Sequence, residues 1–338
     1  MIMGFLTGPR VLTALEKIVP ENGLTNSGQA SGIVALGTMP TSSLAGATSA
    51  DAYERLHLDA RSVYVWDSQT GKKLYGKNEY EVLPLASVTK MMMALVAVEL
   101  LPPNTEVSIA PIDLMEEGDT GLLVGEKWAL TDLLKFTLVA SSNDGASAIA
   151  SVAGAALLGD ASSTDPFTNK RLFIKRMNEK AEVIGLINTK FSNESGLDID
   201  SVTAGAYGSA RDMARLFEYI SRKHPELFTA TTYSKIDVRS DSNVTHHVAN
   251  TNAGVEEVTG LIGSKTGYTD LAGGNLVVVV DIGINHKVTI AVLGSSRDGR
   301  FTDVNQLIDA TVEKITGGYG MGTLTIGVAS TTQSQRLQ

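Results

Sequence analysis

Residues 87–101 read Ser-Val-Thr-Lys-Met-Met-Met-Ala-Leu-Val-Ala-Val-Glu-Leu-Leu, and Pro102 and Pro103 follow directly. Proline cannot continue a helix, so this stretch predicts a single helix that ends before the proline pair. Its residues are apolar on almost every face, which is typical of a helix buried in the middle of a fold. We therefore interpret the three methionines at 91–93 as core packing and not as ligands of a metal or cofactor.

Segments typical of β-strands lie on both sides of this helix along the chain. Residues 61–67 form an alternating run, and residues 72–75 return after a turn at Gly71, which predicts a hairpin. In the last third of the chain, strands are predicted at 260–268, 275–284 and 287–294. The last two are joined by a short turn that contains Asn285.

The middle of the chain has the apolar spacing of helices. Helices are predicted there at 130–140, 146–158, 170–187 and 209–222, and a closing helix is predicted at 303–315. Thr131 is predicted to cap the first of them. Strands, then helices, then strands, with hairpin connections between strands, favour the α+β class: an antiparallel sheet with helices packed on it.

Composition excludes several classes of protein. Of the 338 residues, 43% are hydrophobic, which is enough to form a substantial core. The formal net charge of −9 argues against a protein that holds nucleic acid through phosphate contacts. Cysteine is absent, which excludes disulfides, thiol nucleophiles, thiolate zinc sites and iron–sulfur clusters. No apolar run reaches about 18 residues, so no transmembrane helix is predicted and membrane association is not evident.

The chain divides into a folded body at 52–316 and two polar ends. Residues 1–51 are expected to form a flexible leader, because residues 22–50 carry no charged side chain and the basic start and apolar run of a secretory signal are missing. Residues 317–338 are rich in Gly, Thr, Ser and Gln, which predicts a loose tail and not an amphipathic anchor.

Common motifs of nucleotide and metal enzymes are missing. The chain has no G-x-x-x-x-G-K, no G-x-G-x-x-G after a strand and no H-E-x-x-H. His246 and His247 are adjacent, so on a strand they face opposite ways and do not share one metal. The lack of a G-x-S-x-G elbow argues against an ordinary Ser–His hydrolase. We predict no metal and no cofactor.

Three short motifs remain, and they indicate another way to activate a serine. Ser87 and Lys90 form the only S-x-x-K, and their spacing places both side chains on one face of a helix. A lysine that is partly desolvated near a helix N-terminus has a lowered pKa and takes a proton from a serine. The only S-x-N follows at residues 141–143, at a polar break between helices, and the only K-T-G lies at 265–267 on a predicted strand.

The order S-x-x-K, S-x-N, K-T-G is the signature of class A β-lactamases and penicillin-binding proteins. Residues 61–95 resemble the opening of the low-molecular-mass penicillin-binding D-alanyl-D-alanine carboxypeptidases, the S11 serine peptidases. Further similar segments lie at 191–197, 263–269, 272–273 and 299–301, so the resemblance covers about 57 to 315. It implies a β-lactamase/transpeptidase-like fold, in which an antiparallel sheet flanked by helices and an all-helical lobe enclose the active site.

The resemblance also implies the catalytic residues. Ser87 is expected to be the acylated nucleophile and Lys90 its general base. Ser141 is expected to relay protons, and Asn143 to bind the substrate amide. Ser142 stands where the family commonly has glycine, which we expect to be a small change at a place that tolerates a side chain.

The substrate-binding residues follow from the same resemblance. Lys265 and Thr266 are expected to hold the terminal carboxylate of a substrate that lies along their strand, and Gly267 to allow its close approach. The backbone amides of Ser87 and Tyr268 are expected to form the oxyanion hole. Arg300 is expected to assist in recognition of the carboxylate.

The implied activity is removal of the terminal D-Ala from peptidoglycan stem peptides, outside the cytoplasm in the periplasm or at the cell surface, with β-lactams as inhibitors. The alternatives are a D,D-endopeptidase, a β-lactamase or a non-catalytic muropeptide-binding module. A β-lactamase needs a deacylating glutamate in an E-x-x-L-N pattern. Glu194 matches best, but Asp198 replaces the asparagine, so we interpret Glu194 as part of the 191–197 loop.

Overall fold

The computed structural model describes residues 51–159, 165–283 and 285–317. The predicted leader at 1–51 and tail at 317–338 therefore lie outside the described residues, apart from residues 51 and 317 themselves. Within the described ranges, no helix combines the length and the apolar character needed to cross a membrane.

The described residues form twelve strands and six α-helices. The strands are β1 (Ser62–Asp67), β2 (Lys72–Lys77), β3 (Leu83–Pro84), β4 (Glu106–Ser108), β5 (Lys127–Ala129), β6 (Lys190–Phe191), β7 (Ala206–Gly208), β8 (Lys235–Arg239), β9 (Thr245–Ala249), β10 (Leu261–Thr269), β11 (Gly273–Asp281) and β12 (Lys287–Ser295). The helices are α1 (Lys90–Leu100), α2 (Leu130–Ala140), α3 (Asn143–Leu157), α4 (Pro166–Ile184), α5 (Ala210–Lys223) and α6 (Gly299–Ile315).

The main sheet has five strands in the order β10-β11-β12-β1-β2, and each neighbouring pair is antiparallel. Both predicted hairpins, β1–β2 and β11–β12, are present. Both faces of the sheet are covered: Val278 and Val280 pack with α6, while Val277 and Val279 join the larger core that contains α1 and α5. Two-sided burial explains why β11 is a continuous apolar run and not an alternating one.

Helix α1 is the buried centre of the fold, as predicted. Its residues from Lys90 to Ala97 are all buried, including the three methionines. The helix begins three residues later than predicted, because residues 86–89 form a 3₁₀ turn. Ala86 has a φ of 48°, a left-handed conformation that is uncommon outside glycine, and it aims the chain into this turn.

The other helices lie close to their predicted positions, with informative differences at their ends. Helix α2 has the predicted bounds, but Thr131 does not cap it: its hydroxyl bonds the carbonyl of Pro103 at 2.9 Å, and the prediction was wrong. Helix α3 begins three residues earlier than predicted because Ser142 Oγ accepts a hydrogen bond from the amide of Gly145 at 3.0 Å. Helix α4 begins at Pro166, where a missing N–H has no cost.

Asn275 joins the sheet to the turn that leads into α1. Its buried amide donates to the carbonyls of Pro84 and Leu85, both at 3.0 Å, and its Oδ1 accepts from the amide of Gly294 at 2.8 Å. One side chain on β11 therefore satisfies backbone groups of two other segments. It sets the position of the S-x-x-K turn relative to the sheet.

Replacing Asn275 with alanine should lower the free energy of unfolding by about 3 kcal/mol, because buried backbone groups lose their partners. Urea denaturation measures the loss. Asn305→Ala is the matched control, since Asn305 makes one exposed bond to Glu257, and its cost should stay below about 0.5 kcal/mol. Equal losses in the two variants would contradict the proposed role of Asn275.

Candidate active site

The three motifs meet where the edge strand β10 faces the start of α1 and the junction of α2 with α3. The approach of β10 to the S-x-x-K turn is close: a Cβ at Gly267 would lie 2.8 Å from the carbonyl oxygen of Leu85 and 3.1 Å from the amide nitrogen of Val88. Backbone atoms cannot yield as a flexible side chain can, so only glycine fits at this position.

Lys90 is the centre of the cluster. Its side chain is fully buried, and its Nζ lies 2.9 Å from Ser87 Oγ, 2.6 Å from Asn143 Oδ1 and 3.0 Å from the carbonyl oxygen of Ser195. An ammonium has three N–H donors, so this geometry satisfies all of them. The predicted contact between Ser87 and Lys90 is present.

The same contacts direct the lone pair of a neutral Lys90. Two of its three partners are carbonyl oxygens, which can only accept hydrogen bonds. A neutral amine therefore keeps its two N–H bonds to Asn143 and Ser195, and its lone pair faces the hydroxyl of Ser87. The arrangement suits proton transfer from Ser87 to Lys90.

Burial brings Lys90 near the pH range where it can lose its proton. The pKa of Lys90 falls from 10.5 to about 7, with burial as the principal cause. The negative charges of Glu194, Glu116 and Asp144, in that order, oppose this effect of burial on the pKa.

The second buried lysine holds the S-x-N motif against the K-T-G strand. Lys265 Nζ donates to Ser141 Oγ at 2.8 Å and to the carbonyl of Thr266 at 3.0 Å. Burial lowers the pKa of Lys265 well below its usual value, and the positive charges of Lys90 and Arg300 lower it further. Ser141 ends α2 with a φ of 61°, and this uncommon conformation turns the chain toward α3.

Asn143 and Ser142 complete the S-x-N motif beside Lys90. Asn143 Nδ2 donates to the carbonyl of Glu117 at 2.6 Å, which orients the amide so that Oδ1 meets Lys90. Ser142 is fully buried, caps α3 and pairs with Thr120 Oγ1 at 2.7 Å. Ser142, which stands where the family commonly has glycine, therefore has hydrogen-bond partners of its own. Its position is more enclosed than we expected.

The remaining predicted residues line or support β10. Thr266 Oγ1 lies 2.6 Å from Thr251 Oγ1, and the ring of Tyr268 is partly exposed beneath the guanidinium of Arg297 at 4.9 Å. Arg300 is buried, and its Nη1 donates to the carbonyl of Gly267 at 2.7 Å. Burial lowers the pKa of Arg300.

All nine predicted residues thus lie in one cluster or directly behind it, but sequence reasoning missed some of their partners. The Ser195 carbonyl and the Thr251 hydroxyl belong to no motif. Residues 191–197 did indicate a loop of interest through their resemblance to the carboxypeptidases. Within the described residues, no group of three His, Asp or Glu side chains is placed to hold a metal ion.

Comparisons with known proteins agree with this geometry. Residues 47–297 match the family model described as Peptidase S11, D-alanyl-D-alanine carboxypeptidase. The chain is 31% identical to a D-alanyl-D-alanine endopeptidase of Pseudomonas aeruginosa, over 74% of this chain and 76% of that protein. It is 29% identical to the D-alanyl-D-alanine carboxypeptidase DacF of Bacillus subtilis, over 74% of this chain and 61% of that protein.

Solved structures agree as well. Penicillin-binding protein D2 of Listeria monocytogenes, in its ampicillin-bound form, matches with a TM-score of 0.60 and 25% identity, over 75% of this chain and 98% of that chain. A D-alanyl-D-alanine carboxypeptidase of Mycobacterium tuberculosis matches with a TM-score of 0.65 and 25% identity, over 76% of this chain and 92% of that chain. The chain therefore belongs to the S11 family of serine peptidases: it has the penicillin-binding α+β fold and is a hydrolase of the D-alanyl-D-alanine carboxypeptidase class.

Proposed function

We propose that this chain removes the terminal D-alanine from peptidoglycan stem peptides through an acyl-enzyme on Ser87. The observation that carries the assignment is the 2.9 Å bond between Ser87 Oγ and Lys90 Nζ, in a site where the other two partners of Nζ are carbonyl oxygens. Together with a lysine pKa of about 7, this bond supports Ser87 as the activated nucleophile.

Acylation begins when the neutral amine of Lys90 takes the proton of Ser87 and the Ser87 oxygen bonds to the carbonyl carbon of the penultimate D-alanine. The amide bond to the terminal D-alanine then breaks. The leaving amine takes up the proton that Lys90 received, delivered through Ser141, and Lys90 is neutral again. Backbone amides of Ser87 and Tyr268 stabilise the negative oxygen that forms in between.

Deacylation uses the same groups in reverse. A water molecule gives its proton to Lys90 while its oxygen attacks the ester carbon. Ser87 then leaves and takes that proton back from Lys90, so Lys90 is neutral again, and the shortened stem peptide is released as a carboxylic acid that loses its proton to solvent. Lys90 is a proton acceptor and donor in turn, which requires a pKa near the working pH.

The substrate is proposed to lie along β10, which is an edge strand of the main sheet. An extended peptide can add to such an edge through backbone hydrogen bonds. Lys265, Thr266 and Arg300 then surround its terminal carboxylate with positive charge and a hydroxyl. Since stem peptides are part of the cell wall, we also propose that the chain works outside the cytoplasm, in the periplasm or at the cell surface.

A D,D-endopeptidase is the second candidate, because several similar relatives carry that name. Both reactions cleave a D-alanyl amide with the same groups, and they differ in whether the leaving amine belongs to free D-alanine or to a cross-linked peptide. A β-lactamase is the third candidate, but Glu194, the best match to its deacylating glutamate, pairs with Lys170 at 3.5 Å, and Asp198 stands where the E-x-x-L-N pattern has asparagine.

Incubation with a fluorescent penicillin should acylate Ser87 alone, because the other two partners of Lys90 are carbonyl oxygens and the lone pair of the neutral amine therefore faces Ser87. Intact-mass measurement and peptide mapping locate the adduct, and release of D-alanine from a D-Ala-D-Ala peptide measures turnover. Ser87→Ala should lose both. Labelling that survives this variant would contradict the assignment. A non-catalytic binding module would form the penicillin adduct but would release no D-alanine from the peptide. Loss of the adduct within seconds would indicate a β-lactamase.

The rate of acylation should rise with pH and level off above about pH 7, because only neutral Lys90 accepts the proton and its pKa is about 7. Lys90→Arg should reduce the rate by at least about a hundredfold, since arginine stays protonated at these pH values. Stopped-flow labelling across about pH 5 to 10 measures both. A wild-type rate that still climbs at pH 9, or an active Lys90→Arg enzyme, would exclude Lys90 as the base.

Arg300→Ala should weaken turnover of peptides that end in a free carboxylate far more than turnover of amidated peptides. The physical reason is that Arg300 adds positive charge behind Gly267 and beside Lys265, where a carboxylate would bind. The ratio of kcat/KM for the two substrates measures this. Equal losses on both would mean that Arg300 only supports the strand.

A further inference from the structure

A buried carboxylate lies beside the proposed active site, and the mechanism above does not use it. The Glu194 side chain is 5% exposed, and its Oε1 lies 3.5 Å from the Nζ of Lys170 on α4. Lys170 also bonds Glu116 Oε1 at 3.2 Å. Burial raises the pKa of Glu194, and the positive charge of Lys170 opposes that effect and favours the charged carboxylate.

The loop that carries Glu194 is held rigidly against the nucleophile. Asn193 Oδ1 accepts from the amide of Gly196 at 2.7 Å, and its Nδ2 donates to the carbonyl of Leu197 at 2.9 Å. Gly196 has a φ of +83°, and a Cβ there would lie 1.9 Å from the carbonyl oxygen of Ala86. The loop thus touches the residue directly before Ser87, and a displacement of the loop would disturb the turn that carries the nucleophile.

The loop also contacts the proposed base. The carbonyl of Ser195, next to Glu194, accepts a hydrogen bond from Lys90 Nζ at 3.0 Å. That bond is one of the two that direct the lone pair of Lys90 toward Ser87. The position of the Glu194 side chain and the orientation of Lys90 are therefore linked through the short stretch of backbone from Glu194 to the Ser195 carbonyl.

We propose that Glu194, held by Lys170, is a positioning residue for Lys90: it anchors the loop whose Ser195 carbonyl orients the amine, and it places a buried negative charge behind that amine. The inference rests on the proposed function, in which Lys90 is the base. It concerns a residue that acts on Ser87 only through Lys90.

The two buried lysines of the site show what such a charge does. The carboxylates that act on Lys90 are Glu194, Glu116 and Asp144, and its pKa is about 7 despite full burial. Lys265 is buried to the same extent, and the charges that act on it are the cations of Lys90 and Arg300. Its pKa falls well below the usual value. Nearby carboxylates thus keep Lys90 able to pick up a proton near neutral pH.

The test is the pH dependence of penicillin acylation in the full chain. Glu194→Gln removes the charge and keeps the shape, so Lys90 should lose its proton more readily. The acid limb of the profile, which is the rise of the acylation rate with pH below the plateau, should therefore move to lower pH. At pH 6 the rate, relative to its plateau, should exceed that of the wild type by at least about threefold. Glu194→Asp keeps the charge, and its limb should stay at the wild-type position.

Glu179→Gln is the matched control, because Glu179 lies on α4 in an exposed ion pair with Lys175. Its limb should coincide with that of the wild type. If Glu194→Gln does not fold, Lys170→Gln replaces it: loss of the cation favours protonation of Glu194 and should move the limb in the same direction. An unmoved limb in the folded variant, or an equal movement in Glu179→Gln, would overturn the proposal.

A second readout separates this inference from the proposed function. NMR titration of ¹³Cε-labelled lysine, with Lys90 assigned by its absence in Lys90→Arg, follows the amine without any substrate. A lower midpoint in Glu194→Gln than in the wild type supports the inference even if penicillin does not acylate Ser87. Acylation with identical Lys90 midpoints in both proteins overturns the inference and leaves the proposed function standing.

Discussion

The desolvation of Lys90 is the constraint on which the rest of the site depends. A fully buried ammonium with three acceptors around it is held in one place, and burial lowers its pKa to about 7. In water the same side chain would be charged and mobile, with no use as a base at neutral pH. Lys90 is the first residue of the apolar helix α1, whose three methionines are also buried. The packing of this helix provides the apolar environment of the amine. The hydrophobic core is therefore a direct part of the chemistry.

The antiparallel sheet supplies the second half of the site by bringing β10 against the S-x-x-K turn. Gly267 permits the close approach, and Asn275 ties the turn to the neighbouring strand through two backbone carbonyls. Arg300 bonds the backbone of Gly267 from the other side. Because these contacts involve backbone atoms, they hold the geometry of the cleft without limiting which side chains face it.

The two buried lysines of the cluster differ in the charges around them. Lys265 lacks a carboxylate among the charges that act on it, so a bound anionic group would be its natural partner. Lys90 has three carboxylates around it, which offset part of the effect of burial. The Glu194–Lys170 pair is the feature of this chain that adjusts Lys90.

The amino-acid sequence by itself determined the α+β class, the buried helix and the hairpins, because hydrophobic periodicity requires particular residue types in a particular order. The contact of Ser87 with Lys90 followed from helix spacing, whereas the other residues of the cluster were expected from the resemblance to a known family. The sequence did not determine the start of α1 or the cap of α2, since local signals at Ser87 and Thr131 were overridden by tertiary contacts. Only the folded structure decided that the Ser195 carbonyl, 105 residues away in sequence, would orient Lys90. Every residue has a carbonyl, so no sequence pattern marks the one that matters. The partners of a buried charge likewise become visible only when distant segments pack together.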